Sequence, residues 1–168
     1  MKSEVVTYPV STPWGKFKVA VSKKGIVSIA FPGQVLRFHS DNSKQFSKTA
    51  KLVEMELVRY LKGGKENWKK IPIDQSHATP RQKQMFKALS RIPAGEVRTY
   101  EWLAKKCGIP KGPRAMGGVL GSNPIPIICP CHRIVRKDGS LGGFSAGLAW
   151  KKKLLIHEGS FAQRFAKG

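Results

Sequence analysis

Alternation of apolar and polar residues dominates the first part of the chain and predicts a small sheet. Three β-branched segments are separated by turns that contain Gly or Pro, and they cover residues 5–10, 15–21 and 26–31. Apolar residues then recur at helical spacing over residues 47–62. The spacing predicts that one face of this helix is buried, formed by Leu52, Met55, Val58 and Leu61.

After residue 75 the pattern changes to short helices. Thr79 and Pro80 predict the N-cap and first position of one helix. Thr99 predicts the N-cap of a second helix over residues 100–107, and a third helix begins after Gly112. Two short helices joined by a tight turn with Gly and Pro indicate a helix-turn-helix candidate.

These patterns predict an α/β protein of two domains. A chain of 168 residues is long enough for one large or two small domains. We place the boundary so that residues 1–75 form the domain with the sheet. Residues 76–168 form a mostly helical domain.

The charge balance points to a polyanionic partner. The net charge is +21, with 31 Lys and Arg against ten Asp and Glu. Nucleic acid is the commonest partner for such a chain, and an anionic membrane surface is the rival. Thermophilic lysine enrichment usually brings glutamate as well, which is scarce here.

Other composition data exclude several classes. No stretch approaches the ~20 apolar residues of a membrane helix, and the N-terminal ten residues lack a secretion signal. Three cysteines argue against an extracellular disulfide scaffold. We therefore expect a cytoplasmic protein with no membrane partner.

The chemistry is concentrated in a triplet, Cys131-His132-Arg133, which we predict on a strand after a helix end. Neighbouring positive charge favours a thiolate, and a thiolate attacks alkyl carbon well. Glu158 follows a basic helix predicted over residues 148–156. If its carboxylate reaches His132, the three side chains form a Cys-His-acid array.

Five segments together resemble a known family. They are PCHRI at residues 130–134, GEVRTY at 95–100, RAMGG at 114–118, NPIP at 123–126 and GGFSAGL at 142–148. With these flanks the chain resembles the O6-alkylguanine-DNA alkyltransferases over residues 79–159. Three positions depart from the family pattern. Phe144 stands where many members have Tyr, Ala146 replaces a common Gly, and Cys129 is a second thiol that is not part of the signature.

The resemblance implies a ribonuclease-H-like first domain and a winged helix-turn-helix-like second domain. It implies DNA repair in which an alkyl group passes once, irreversibly, from O6 of guanine or O4 of thymine to Cys131. The nucleotide is flipped out of the duplex to be reached. The implied partner is double-stranded DNA, bound by a monomer in the cytoplasm near the nucleoid, or in the nucleus of a eukaryote. No cofactor is implied, and a structural zinc is not expected because residues 1–75 have no Cys and only His39.

The family pattern also implies catalytic roles. Cys131 is the nucleophile, His132 takes its proton through a water, and Glu158 orients His132. Tyr100 donates a hydrogen bond to the base, which helps guanine leave as a neutral species. Asn123 ties the recognition helix to the turn that carries Cys131.

Further residues are implied in binding. Arg114 enters the duplex in place of the flipped base, and small residues beside it let the helix approach the minor groove. The set implied in DNA contact is Arg114, Ala115, Gly117, Gly118, Thr99 and Arg133. The set implied around the extruded base is Ser145, Phe144, Ile134, Pro126 and Lys151.

The residues alone leave simpler interpretations open. Cys131 by itself is typical of a buried structural thiol, and Cys129, Cys131 and His132 with His157 could be zinc ligands. Residues 151–153, all lysine, are typical of a solvated helix face, and Glu158 of a surface acid or a buried ion-pair partner. The rival functions are a damage sensor without transfer, a helix-turn-helix regulator and a Cys-His hydrolase.

Overall fold

The computed structural model describes residues 4–36, 38, 44–109 and 112–161, with the side chain of Pro113 excepted. Contacts between Cα atoms group the chain into two compact units, Met1–His77 and Ala78–Gly168. Both units contain strands and helices, so the predicted mixed α/β fold is confirmed. Among the residues described, no helix is long and apolar enough to cross a membrane.

The first unit is built on an antiparallel sheet of three consecutive strands. They are β1 (Val5–Thr12), β2 (Gly15–Ser22) and β3 (Gly25–Ala30), in the order β1-β2-β3. All three lie where the alternation of the sequence predicts them. Gly25 is required at the start of β3, because its φ is +148° and a Cβ would overlap the Pro72 backbone.

One helix, α1 (Ser47–Leu61), follows the sheet, and a 3₁₀ turn at Trp68–Lys70 comes after it. The helix is where the sequence predicts it, but of the predicted inner face only Leu61 is buried. Met55 is 55% exposed, and the face that is buried lies one position away. Its apolar members are Ala50, Val53, Leu57, Tyr60 and Leu61.

The second unit holds four helices and a two-stranded parallel sheet. The helices are α2 (Pro80–Leu89), α3 (Tyr100–Lys106), α4 (Pro113–Gly121) and α5 (Leu148–His157). The strands are β4 (Arg98–Thr99) and β5 (Ile134–Val135). Helices α2, α3 and α4 pack on one another, so the predicted helix pair α3 and α4 is in contact.

The helix starts follow the predicted capping residues. The Thr79 hydroxyl accepts a hydrogen bond from the Gln82 N–H group, and Gln82 Oε1 accepts one from the Thr79 N–H group. The Thr99 hydroxyl accepts from the Trp102 N–H group at 3.1 Å. Each cap fixes the first turn, so Tyr100 is held at the beginning of α3 beside β4.

Candidate active site

Cys131 opens a 3₁₀ turn, Cys131–Arg133, and does not lie on a strand as the sequence predicts. The turn is closed by a hydrogen bond from the Arg133 N–H group to the Pro130 carbonyl at 3.1 Å. Strand β5 begins only after it. The apolar run before Cys131 suggests a strand from sequence, yet it is a buried loop that contains one strained residue.

That strained residue is Ile127, which has φ +74° and a fully buried side chain. A β-branched residue rarely adopts this conformation, which costs of order 1–3 kcal/mol. Such strain persists where the surrounding structure imposes it, and it marks functional loops. Nothing in the sequence pattern indicates it.

Asn123 connects the end of α4 to the Cys131 turn. Its Nδ2 donates to the Cys129 carbonyl at 2.9 Å and to Cys131 Sγ at 3.1 Å. Its Oδ1 accepts from the Ile125 N–H group at 3.1 Å. The side chain is buried, so these bonds hold the loop and the sulfur in one arrangement.

The Cys131 thiol is buried, with 5% of the residue exposed. Burial raises the pKa of Cys131, although the Asn123 hydrogen bond and the charge of Lys151 act in the opposite direction. A thiol whose pKa is raised is protonated at neutral pH, so burial outweighs the neighbouring positive charge in the resting site. Transfer of its proton must accompany or precede nucleophilic attack.

Glu158 reaches His132, and it also binds Arg133. The distance from His132 Nε2 to Glu158 Oε1 is 2.8 Å. Arg133 donates to both carboxylate oxygens, at 2.6 and 3.0 Å, and to the Ile92 carbonyl at 2.6 Å. The alternative that Glu158 is a surface acid is wrong, because its side chain is 1% exposed.

Arg133 cannot serve as the DNA contact that the sequence predicts. It is 1% exposed, and its guanidinium is occupied by a carboxylate and a backbone carbonyl. Its role in the structure is to neutralise Glu158 in a buried, bidentate pair. The sequence offers no signal for this, since Arg is usually exposed and is almost never fully buried unless it is paired.

The protonation states follow from this pairing. Burial alone would raise the pKa of Glu158, but His132 and Arg133 outweigh it and hold that pKa far below its usual range. Burial lowers the pKa of His132, and the charges of Arg133 and Lys151 lower it further, whereas Glu158 acts to raise it. A neutral His132 whose Nε2–H group donates to Glu158 has its Nδ1 lone pair available, and Nδ1 has no hydrogen-bond partner among the described residues.

Lys151 is fully buried, whereas Lys152 and Lys153 are exposed, so the interpretation of a solvated face is wrong for Lys151 alone. Its Nζ donates to the Ile134 carbonyl at 2.6 Å and to the Gly143 carbonyl at 3.1 Å. It also lies 5.8 Å from the centre of the Tyr100 ring. Lys151 therefore joins β5 to the segment that carries Gly143, rather than projecting into solvent.

A cavity of about 160 Å³ adjoins the Cys131 residue. It brings together Cys131 with four residues implied by the family pattern: Tyr100, Gly117, Phe144 and Ser145. Pro126 and Ile134 are buried and are not among its lining residues. The Ile134 carbonyl accepts from Lys151, so that carbonyl is already occupied.

Tyr100 is half-buried at the wall of this cavity. Burial raises the pKa of its phenol, whereas a hydrogen bond from the Gly143 backbone acts to lower it. Gly142 lies against the ring: its φ is +70°, and a Cβ there would overlap the phenol group. Glycine is thus needed at position 142 for close contact with Tyr100, whereas a Cβ at Gly143 would meet nothing within 4 Å.

The predicted DNA-contact residues of α4 lie on its exposed side. Arg114, Ala115, Gly117 and Gly118 are exposed, whereas Met116 and Leu120 of the same helix are buried. A Cβ at Gly117 or Gly118 would meet nothing within 4 Å. Because these residues have small side chains or none, a partner can approach the backbone of this face of the helix closely.

One interpretation left open by the sequence is a zinc site at Cys129, Cys131, His132 and His157. Within the described part of the chain, no group of three or more His, Cys, Asp and Glu residues could hold a metal ion. Cys129 and Cys107 are buried, and burial raises the pKa of each thiol, well above the ordinary value for Cys129. His39 lies outside the described residues.

With this geometry established, comparison with known proteins identifies the family. Methylated-DNA–protein-cysteine methyltransferase of Methanosarcina barkeri is 35% identical over 153 residues, which cover 87% of this chain and 92% of that protein. The chain belongs to the methylated-DNA–protein-cysteine methyltransferase family. The family model for the DNA binding domain of 6-O-methylguanine DNA methyltransferase also matches residues 80–160.

Other relatives place the similarity along the chain. The methylated-DNA–protein-cysteine methyltransferase of Haemophilus influenzae is 45% identical over 103 residues, 61% of this chain and 57% of that protein. The match thus spans about half the length of several curated family members. The crystal structure of Mycobacterium tuberculosis OGT in complex with DNA superposes with a TM-score of 0.76 at 30% identity, covering 92% of this chain and 93% of that one.

Proposed function

We propose that this protein repairs DNA by transferring an alkyl group from O6 of guanine, and from O4 of thymine, to its own Cys131. The observation that carries the proposal is the Cys131 thiol at a cavity lined by Tyr100 and Ser145. Behind it, a neutral His132 is hydrogen-bonded to Glu158. Membership of a family named for protein-cysteine methyl transfer supports the same reaction.

The proposed step conserves atoms and protons. Cys131 Sγ attacks the alkyl carbon, the bond from that carbon to O6 breaks, and a thioether forms. The thiol proton passes through a bridging water to His132 Nδ1, while Nε2–H stays bonded to Glu158. Tyr100 donates a proton to the leaving guanine, which departs neutral. His132 then releases the thiol proton to solvent and the Tyr100 phenolate takes one up, so the net change is transfer of one proton from the thiol to guanine. Because the thioether is not hydrolysed, each molecule reacts once.

The DNA partner is proposed to lie against α4. Arg114 would fill the space of the flipped nucleotide, and Ala115, Gly117 and Gly118 would face the minor groove. Base flipping is needed because the cavity beside Cys131 is a recess that a stacked base cannot enter. The M. tuberculosis homologue in complex with DNA supports a DNA partner.

The finer fold assignments are proposed with this function. We assign the three-stranded sheet with α1 to a ribonuclease-H-like domain, and α3, α4 and the β4–β5 pair to a winged helix-turn-helix-like domain. The notional boundary at residues 75 and 76 lies two residues before the division between the compact units. Because every residue proposed to react belongs to the second unit of one chain, we propose that a monomer suffices.

The test is to incubate the protein with duplex DNA carrying one O6-methylguanine and to measure the intact mass. We expect a gain of one methyl group per molecule, located on Cys131 and absent in Cys131→Ser. Cys129→Ser is the matched control, since Cys129 is a buried thiol outside the cavity lining, and it should still gain the methyl group. Binding without a mass change would indicate a damage sensor, and repeated turnover by one molecule would indicate a hydrolase.

A further inference from the structure

A second, larger cleft adjoins the Cys131 cavity. Its volume is about 360 Å³, and it shares three lining residues with that cavity: Tyr100, Gly117 and Gly143. Residues common to both linings place the two spaces side by side. A nucleotide whose base occupies the Cys131 cavity therefore leaves its sugar and phosphates at this cleft.

The remaining lining of the cleft is strongly basic. It contains Arg114, Arg136 and Lys137 against one carboxylate, that of Glu101. All four side chains are exposed. Within the described residues no salt bridge involves any of the three cations, and Glu101 pairs instead with Lys105 at 3.6 Å. The cations are thus free to bind an external anion.

Arg136 and Lys137 are placed by an ordered turn rather than a loose loop. The Arg136 N–H group donates to the Ser140 carbonyl at 3.0 Å, and the Gly139 N–H group donates to the Arg136 carbonyl at 2.9 Å. The Asp138 carboxylate in the same turn accepts from Ser140 at 2.7 and 2.8 Å and interacts electrostatically with Arg136. It does not line the cleft, and within the described residues it forms no salt bridge with Arg136. The turn begins directly after β5, so only a few residues of the chain separate it from Cys131.

The charge of Arg136 also reaches the Tyr100 hydroxyl. Burial raises the pKa of Tyr100, and Arg136 acts to lower it. Arg136 is therefore near the phenol that separates the two spaces. An anion bound by Arg136 would lie at the mouth of the Cys131 cavity.

We propose that Arg136 and Lys137 bind a phosphate that flanks the nucleotide whose base enters the Cys131 cavity. This inference rests on the proposed function and extends it. Arginine recognises phosphate with paired, charge-assisted hydrogen bonds, and lysine adds a point charge. The contact positions the extruded nucleotide for attack, so this protein selects alkylguanine within a polynucleotide over the free base.

The test removes the charge from each partner in turn. Single-turnover methyl transfer is measured on duplexes in which one phosphate beside O6-methylguanine, on the 5′ or the 3′ side, is replaced by a neutral methylphosphonate. For the unaltered protein, one of the two replacements should slow transfer about tenfold, the loss expected for a charged hydrogen bond. In the double variant Arg136→Gln, Lys137→Gln, transfer to the normal duplex should fall about as much, and the same methylphosphonate should add less than about twofold.

Two controls keep the result interpretable. Lys87→Gln removes one exposed positive charge from α2, outside the cleft, and should leave the methylphosphonate effect intact. Free O6-benzylguanine, which has no phosphate, should be slowed less than the duplex by the double variant. Equal slowing of both substrates, or a methylphosphonate effect that persists in the double variant, would overturn the proposal. Failure of the unaltered protein to alkylate Cys131 with any substrate would instead refute the proposed function.

Discussion

The Glu158 carboxylate accepts hydrogen bonds from His132 and Arg133 at the same time, in a site with almost no solvent. Glu158→Gln would leave the Arg133 charge buried without its counter-ion. Removing one partner of such a pair typically costs about 3–5 kcal/mol. We expect a loss of this order in the free energy of unfolding at pH 7, measured by urea denaturation.

The loss of unfolding free energy caused by Glu158→Gln should depend on pH in a defined direction. Because the pKa of Glu158 is held far below its ordinary value of 4.5, its stabilising contribution is complete above that value and is lost as the pH falls further. The unfolding free energies of Glu158→Gln and the unaltered protein should therefore converge below about pH 4.5. Glu54→Gln, at an exposed glutamate, is the control and should change little at any pH. A constant gap from pH 7 to pH 3 would contradict the assignment.

At the scale of single residues, the sequence predicted which side chains form the site better than it predicted which of them are buried. Cys131, Tyr100 and Ser145 do line one cavity, and Glu158 does reach His132. Two basic residues were misjudged, because Arg and Lys are almost never fully buried unless they are paired. Arg133 and Lys151 find their partners through contacts between 8 and 41 residues apart in sequence, which no local pattern reveals.

At the scale of elements, the starts of α2 and α3 were predicted because capping residues act locally. Thr79 and Thr99 satisfy backbone N–H groups within their own first turns. Apart from Leu61, the inner face of α1 was not predicted, since apolar residues occupy two adjacent stripes and only packing decides between them. The turn at Cys131 was missed for a related reason, because an apolar run such as Ile125–Ile128 does not distinguish a buried strand from a buried loop.

The loop before α5 gives a prediction at this scale. Gly142→Ala should force the Tyr100 phenol to move, because the added Cβ would overlap it. Displacing this hydrogen-bond donor is expected to slow methyl transfer about a hundredfold. The rate is measured by quenched single-turnover reaction with an O6-methylguanine duplex.

Gly108→Ala is the matched control. Gly108 has φ +65°, close to the +70° of Gly142, but a Cβ there would meet nothing within 4 Å. Both variants should lose about 1–2 kcal/mol of stability from the left-handed conformation. Only Gly142→Ala should lose transfer, and equal rates for the two variants would show that contact with Tyr100 is not the reason for glycine at position 142.

In the whole molecule, the residues proposed to react and to bind DNA are confined to one of the two compact units. The thiol, its proton acceptor, the phenol and the basic cleft all belong to the unit Ala78–Gly168. That unit also carries 17 of the 31 basic residues and only four of the ten acidic ones. A reaction at Cys131 therefore alters the core of the unit that is proposed to bind DNA, and its consequences should extend to stability.

Alkylation of Cys131 should lower the melting temperature. The thiol accepts a hydrogen bond from Asn123 in a buried site, and a thioether is a weaker acceptor whose alkyl group must enter a cavity of about 160 Å³. Added bulk in a packed interior typically costs about 1–3 kcal/mol, and each kcal/mol shifts the melting temperature of a chain this size by about 2–4 °C. Calorimetry should rank the unmodified protein above the methylated form, and that above the benzylated form. Equal melting temperatures for all three would mean that the cavity accepts either group without displacing Asn123 or Tyr100.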